Sequence, residues 1–147
     1  MKSGKITVDH FFKENSDNLG LRLVSGSQGL GRVIREPTIN RPGLALTGFT
    51  KYFASNRIQV IGSAEVTYLK TLDNEEREKR YETIFMHRIP CVVYSRNLKP
   101  DSQFVEVAGQ NNVPLFRTPL ITMKFINRAT LSLDDMFAPQ GTEQGSM

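Results

Sequence analysis

The 147-residue sequence has no tryptophan, one cysteine and two histidines. A single cysteine excludes an internal disulfide. With no secretory signal at the start, a reducing cytoplasm is the expected setting. Cys91 lies in the apolar run Ile89-Pro90-Cys91-Val92-Val93-Tyr94 and reads as a small buried hydrophobe. Neither His10 nor His87 has a Cys or His partner at metal-ligand spacing, so no metal site is expected. No stretch approaches the roughly 18 apolar residues of a membrane-spanning helix, and no membrane partner is expected. No Gly-x-Ser-x-Gly elbow occurs. The glycine cluster Gly26-Ser27-Gln28-Gly29-Leu30-Gly31 is followed by Arg32-Val33, where a P-loop needs Lys and then Ser or Thr to reach phosphate and Mg²⁺. The residues thus supply no catalytic set, and the glycine cluster reads as a hairpin turn between two short strands.

What is present is a chain long enough for one domain with a real core. Apolar residues make up 39%, charged residues 23%, and the net charge is +4. The basic residues Arg22, Arg32, Arg35, Arg41, Lys51 and Arg57 share their span with one acid, Glu36. Without interleaved aromatics this reads as a solvated surface, and no nucleic-acid partner is expected.

Asn40-Arg41-Pro42-Gly43-Leu44-Ala45-Leu46-Thr47-Gly48 divides the chain. Pro42 and Gly43 stop a strand, Pro42 suits the first position of a helix, Leu44 packs, and Gly48 ends the turn. Before this stretch, Thr7 caps a helix carrying Val8, Phe11 and Phe12, and Leu21 to Val24 is a short strand. After it, strand and helix alternate. Ile58 to Ile61 is a strand, and Ser63 caps a helix from Ala64 to Leu72. Asp73 and Glu76 form a capping box for a helix running to about His87 with Tyr81, Ile84 and Phe85 on its apolar face. Cys91 to Tyr94 is a strand, Asp101 or Ser102 caps a helix through Ala108, and Val113 to Phe116 is a strand. Thr118-Pro119 reads as a cap with proline at the first position of a last helix to about Phe137. That helix would bury Leu120, Met123, Ile126, Thr130, Leu133 and Phe137.

Three strands each followed by a helix predict a three-layer α/β/α domain with a mainly parallel sheet. Ligands of such sheets bind beyond the carboxyl ends of the strands, where Gly62-Ser63, Ser95-Arg96 and Arg117-Thr118 fall. Arg96, Arg117 and Thr118 are the candidate anion-binding residues, set against ordinary caps and surface arginines.

An ordered set of motifs resembles the N-terminal domain of bacterial HPr kinase/phosphorylase. It comprises Arg41-Pro42-Gly43-Leu44, Gly48, Arg57 to Gly62 with Glu65, Leu72 to Arg77, Ile89 to Val93 with Pro90, Arg96, Val113-Pro114-Leu115-Phe116-Arg117-Thr118 and Phe125-Ile126. Arg41, Pro42, Gly43, Gly48, Arg57, Gly62, Pro90 and Pro114 carry that resemblance as structural positions. The resemblance implies a two-domain parent that phosphorylates a serine of the phosphocarrier HPr with ATP or pyrophosphate and Mg²⁺, and removes that phosphate by phosphorolysis. It places the P-loop and the catalytic residues in a C-terminal kinase domain, so no catalytic residue and no cofactor is assigned to this stretch. It further implies a homo-hexamer, a fold similar to the N-terminal domain of Mur ligases, residues 1–139 as the domain, and 140–147 as a linker, where Gln144 stands in place of a frequent His. Two alternatives remain open: a free-standing regulatory domain binding a small anionic metabolite, and a nucleic-acid module using the basic span.

Overall fold

The mainly apolar strands Ile58–Ile61 (β5), Val92–Tyr94 (β6) and Leu115–Arg117 (β7) form the centre of the molecule as parallel neighbours. A computed structural model describes residues 5–139; Gln140 to Met147, the expected linker, lie outside the described residues. Ile39–Asn40 (β4) extends the sheet in parallel on one side. Arg22–Ser25 (β2) closes the other side antiparallel to β7, giving the order β2-β7-β6-β5-β4. Ile6–Thr7 (β1) and Val33–Ile34 (β3) form a separate antiparallel ribbon.

Strand pleating sends successive side chains to opposite faces. Val60, Val93 and Phe116 are in register and join one core, beneath helices Val8–Asn15 (α1) and Thr122–Phe137 (α6), with Phe11, Phe125, Ala129 and Leu133. Ile61, Val92, Tyr94 and Leu115 join the other core. It lies beneath the short helix Gly43–Leu46 (α2) and Ser63–Lys70 (α3), Asn74–Phe85 (α4) and Ser102–Gln110 (α5). Three layers with a mainly parallel five-stranded sheet therefore follow from apolar residues on both strand faces. Tyr81, Phe85 and Tyr94 pack around Phe104 at centroid distances of 4.8, 5.2 and 5.5 Å.

The local signals for helix starts are used as the residue types suggest. Thr7 accepts from His10 N–H, Asp73 from Glu76 N–H at 2.8 Å, and Asp101 from Phe104 N–H at 2.7 Å. Glu76 also pairs with Arg80 at 2.8 Å.

Five expectations are corrected. The glycine cluster is not a hairpin turn: its flanking strands pair with β7 and β1, not with each other. Gly26 and Gly29 serve close backbone approach, since a Cβ on Gly29 would lie 1.9 Å from the Asn112 carbonyl oxygen and one on Gly26 2.5 Å from the Val113 carbonyl oxygen. Thr118-Pro119 does not start the last helix, which begins at Thr122 after Ile121. Thr118 is buried, donates its hydroxyl to the Leu19 carbonyl and accepts from Leu120 N–H at 3.2 Å, so its backbone is held in a bend instead. The buried face of α6 is therefore Thr122, Phe125, Ala129 and Leu133, while Met123 is exposed. Finally, Ser63 is exposed and Gly62 occupies the cap of α3. In the dividing stretch Leu44 is 63% exposed, and Ala45 and Leu46 pack in its place, because the single turn of α2 points them inward.

Candidate functional site

The carboxyl ends of β5 and β6 meet the start of α6 in a buried polar corner. Gly62 leaves β5 in an extended conformation and its N–H donates to Glu65 Oε1 at 2.9 Å, one turn into α3. Glu65 is 5% exposed. Arg41, from the loop before α2, closes on it as a fork: Nε donates to Oε2 at 3.0 Å and Nη2 to Oε1 at 2.9 Å. Ser95, at the end of β6, donates its backbone N–H to the Ile61 carbonyl at 3.0 Å. Its Oγ lies 2.6 Å from Thr122 Oγ1.

Burial alone would raise the Glu65 carboxyl. The hydrogen bonds from Arg41, Gly62 and its own backbone, with the Arg41 charge, win and hold it below the usual carboxylate range. The Arg41 guanidinium is raised in turn, chiefly by its hydrogen bonds to Glu65. Each donor and acceptor named here has a partner. The hydroxyls of Ser95 and Thr122 bond each other, and among the described residues no group of three or more His, Cys, Asp or Glu could hold a metal. The corner is a lock, joining the loop after β4, the β5–α3 turn, the end of β6 and α6.

Gly62 is required there by space. A Cβ would stand 2.6 Å from Thr122 Oγ1, 3.2 Å from Arg41 Nη2 and 3.3 Å from Ser95 Oγ. Gly62→Ala is expected to cost about 1–3 kcal/mol in urea unfolding, the usual range for overpacking. An unchanged midpoint would show that α6 can retreat. Gly43, by contrast, meets only Glu65 Oε2 at 3.7 Å, an ordinary contact, and its φ is not positive.

The residues expected to hold an anion lie one strand further along. Arg96 and Asn97 adopt left-handed φ values of 58° and 55°. Their N–H groups donate to the Leu120 and Thr118 carbonyls, each at 2.9 Å. Arg117 donates through Nε to the Leu98 carbonyl at 3.0 Å and through Nη2 to the Asn97 carbonyl. Arg117 and Thr118 thus bind protein carbonyls, while the Arg96 side chain is exposed. Of the family positions, Arg57 pairs with Glu36 at 2.7 Å, Gly48 has φ 102° beneath Arg80, Pro90 enters β6, and Pro114 packs on the glycine turn. His10 is exposed on α1, and His87 meets the Phe53 ring edge-on at 5.0 Å.

The structure brings Arg41, Gly62 and Glu65 together and adds Ser95 and Thr122. Glu65 was legible only as a residue of the family motif, because the cap was placed at Ser63 and not at Gly62; nothing in the sequence marked Thr122.

The fold and the satisfied corner define a three-layer α/β module held by an internal ion-pair lock. The chain belongs to the family described as HPr Serine kinase N terminus, whose profile matches residues 6–133. Similar curated proteins are HPr kinase/phosphorylases. That of Chloroherpeton thalassium is 39% identical over 149 residues, covering 100% of this chain and 44% of the relative. That of Leptospira biflexa is 38% identical, covering 95% of this chain and 43% of the relative. That of Brevibacillus brevis is 34% identical, covering 96% and 44%. The chain thus spans less than half the length of these relatives. A solved structure of the CBS and DRTGG domains of the regulatory region of Clostridium perfringens pyrophosphatase has the same fold. It matches at a TM-score of 0.60 with 12% identity, over 96% of this chain and 56% of that one.

Proposed function

We propose that this chain is the non-catalytic N-terminal domain of a bifunctional HPr kinase/phosphorylase, serving assembly, regulation or partner contact. The observation that carries this reading is the alignment of nearly the whole chain with less than half of each relative, within a family defined as the N terminus of the enzyme. On this reading residues 140–147 lead to a C-terminal kinase domain that holds the P-loop, ATP or pyrophosphate and Mg²⁺, and acts on HPr as a cytoplasmic hexamer. A likeness to the N-terminal domain of Mur ligases belongs to the same proposal.

The residues described here do not fit the nucleotide and metal. The one glycine-rich turn is filled by the protein's own Val113 and Pro114 backbone, and no acidic cluster stands near it. What these residues do supply is a sheet whose carboxyl edge is tied by Arg41 and Glu65. No helix among the described residues is long and apolar enough to cross a membrane.

Incubated with HPr, ATP and Mg²⁺, the 147-residue chain is expected to form no phosphoserine on HPr. Phosphorylation by this chain alone would overturn the non-catalytic reading. The coding sequence is expected to continue past Met147 into a glycine-rich loop ending Gly-Lys-Ser or Gly-Lys-Thr, and a stop codon there would count against the parent enzyme.

A further inference from the structure

At the end of the sheet opposite the polar corner, three arginines converge without a carboxylate. Arg32, Arg35 and Arg88 line a depression of about 230 Å³, completed by Val33, Ile89 and Pro90. Arg32 is half-buried and fixed: Nε donates to the Ile89 carbonyl at 3.0 Å and Nη1 to the Asn111 carbonyl at 3.4 Å. Arg88 immediately precedes Ile89, so the anchored fork of Arg32 lies beside the chain that carries Arg88. Arg35 follows β3, and its backbone N–H donates to the Asn56 carbonyl at 3.4 Å. Arg35 and Arg88 are exposed, and neither forms an ion pair with another described residue. The acid next to Arg35 in sequence, Glu36, is taken by Arg57 at 2.7 Å and Asn56 at 3.5 Å.

We propose that Arg32, Arg35 and Arg88 form a binding site for a small phosphate-class anion. Guanidinium forks match phosphate oxygens in geometry as well as charge. Clustering like charges around a concavity costs free energy in the empty protein, and a multivalent anion returns it. The lowering of Arg32 by burial and then by the Arg88 charge agrees with that crowding. The depression suits one or two phosphoryl groups. Its lining has no aromatic ring on which a nucleic-acid base could stack, which favours a small anion over a nucleic acid strand. The site lies at the amino end of β6, whereas anion sites of parallel sheets are expected at the carboxyl ends, so strand-end reasoning passes over it.

The test titrates the 147-residue chain with inorganic phosphate and pyrophosphate at constant ionic strength, with chloride as the reference anion. NMR shifts of the Arg32 side-chain N–H and of the Val33, Arg35, Arg88 and Ile89 amides are expected to saturate. At about ten times its dissociation constant, pyrophosphate is expected to raise the melting temperature by about 3–6 °C. The double variant Arg35→Ala/Arg88→Ala removes exposed side chains only and relieves the like-charge crowding, so its melting temperature without anion should equal or slightly exceed the parent's while affinity falls at least about tenfold. Arg96→Ala, at the other end of the sheet, should bind as the parent chain does. Non-saturating shifts, saturation that survives the double variant, or shifts centred on Arg96 and Arg117 would each overturn the proposal. Binding of an oligonucleotide but not of phosphate or pyrophosphate would do so as well.

Discussion

Gly29→Ala is expected to lower the melting temperature by at least about 6 °C. The added Cβ would stand 1.9 Å from the Asn112 carbonyl oxygen, 2.8 Å from Pro114 Cδ and 2.9 Å from the Asn112 carbonyl carbon. Two of these are backbone atoms and the third belongs to a rigid ring, so no flexible side chain can step aside. Nor can the loop retreat. Asn112 is held at φ 54° with its N–H on the Gly109 carbonyl at 3.2 Å, and Val113 N–H is fixed on the Ala108 carbonyl at 3.0 Å. On the other side Gly26, at φ 85°, touches the same segment: a Cβ there would lie 2.5 Å from the Val113 carbonyl oxygen. Ordinary overpacking costs roughly 1–3 kcal/mol; a collision with backbone that is itself held by hydrogen bonds and by Gly26 packed close against it should exceed about 3 kcal/mol, a large share of a stability of about 5–15 kcal/mol. Gly31→Ala is the control, because no atom lies within 4 Å of its Cβ, and its effect should stay within about 0.5 kcal/mol. Circular dichroism melts of both variants decide the matter. A Gly29→Ala melting temperature near the parent's would mean that the β2–β3 connection can be rebuilt.

This packed glycine turn also marks where sequence reasoning reached its limit. A glycine allows both a positive φ and a close approach, and the sequence cannot distinguish them. Gly26 uses both, Gly29 only the second. The strands around them are two to four residues long, too short for a pattern that names their partners, and so the antiparallel edge β2–β7 and the β1–β3 ribbon were not legible. The centre of the fold was. β5, β6 and β7 are short, mainly apolar runs broken only by Gln59 and Arg117, and the caps Thr7, Asp73 and Asp101 act within three residues of themselves, so local chemistry suffices to place them. Helix α6 shows the intermediate case: its existence was legible, but its phase was not. Its buried side uses Thr122 and Ala129, small residues chosen for fit, while Met123 and Leu131 stand outside at 59% and 70% exposure. The polar corner was half legible. Arg41 and Glu65 were both in the family motif, yet a contact across 24 residues follows no helical or strand period.

Arg41→Ala is expected to lower stability by about 2 kcal/mol at pH 7, or about 4–8 °C in melting temperature. Breaking a fully buried pair costs roughly 3–5 kcal/mol. The lower figure applies because the Arg41 side chain is 40% exposed and its half of the pair is partly screened by water. The distinguishing sign is the pH dependence. In the parent chain the folded-state carboxyl of Glu65 is lowered from its ordinary value of 4.5. Its stabilising contribution is then fully present above pH 4.5 and is lost as the pH falls through the lowered value. Without Arg41, burial is opposed only by the Gly62 and Glu65 backbone N–H groups, and the carboxyl should rise above its ordinary value. The sign then reverses. The folded variant takes up a proton before the unfolded chain does, so acidification from pH 7 toward 5 favours its fold relative to the parent. The gap between parent and variant should be widest near pH 7 and should narrow on acidification. Adding Glu65→Gln to Arg41→Ala removes the orphaned charge and leaves an amide oxygen for the Gly62 N–H, so the double variant should recover part of the loss at pH 7. Melts of the three proteins at pH 7 and pH 5 separate this account from simple loss of packing. A deficit that is the same at both pH values and is not relieved by Glu65→Gln would show that Arg41 serves the fold through its hydrocarbon stem and not through its charge.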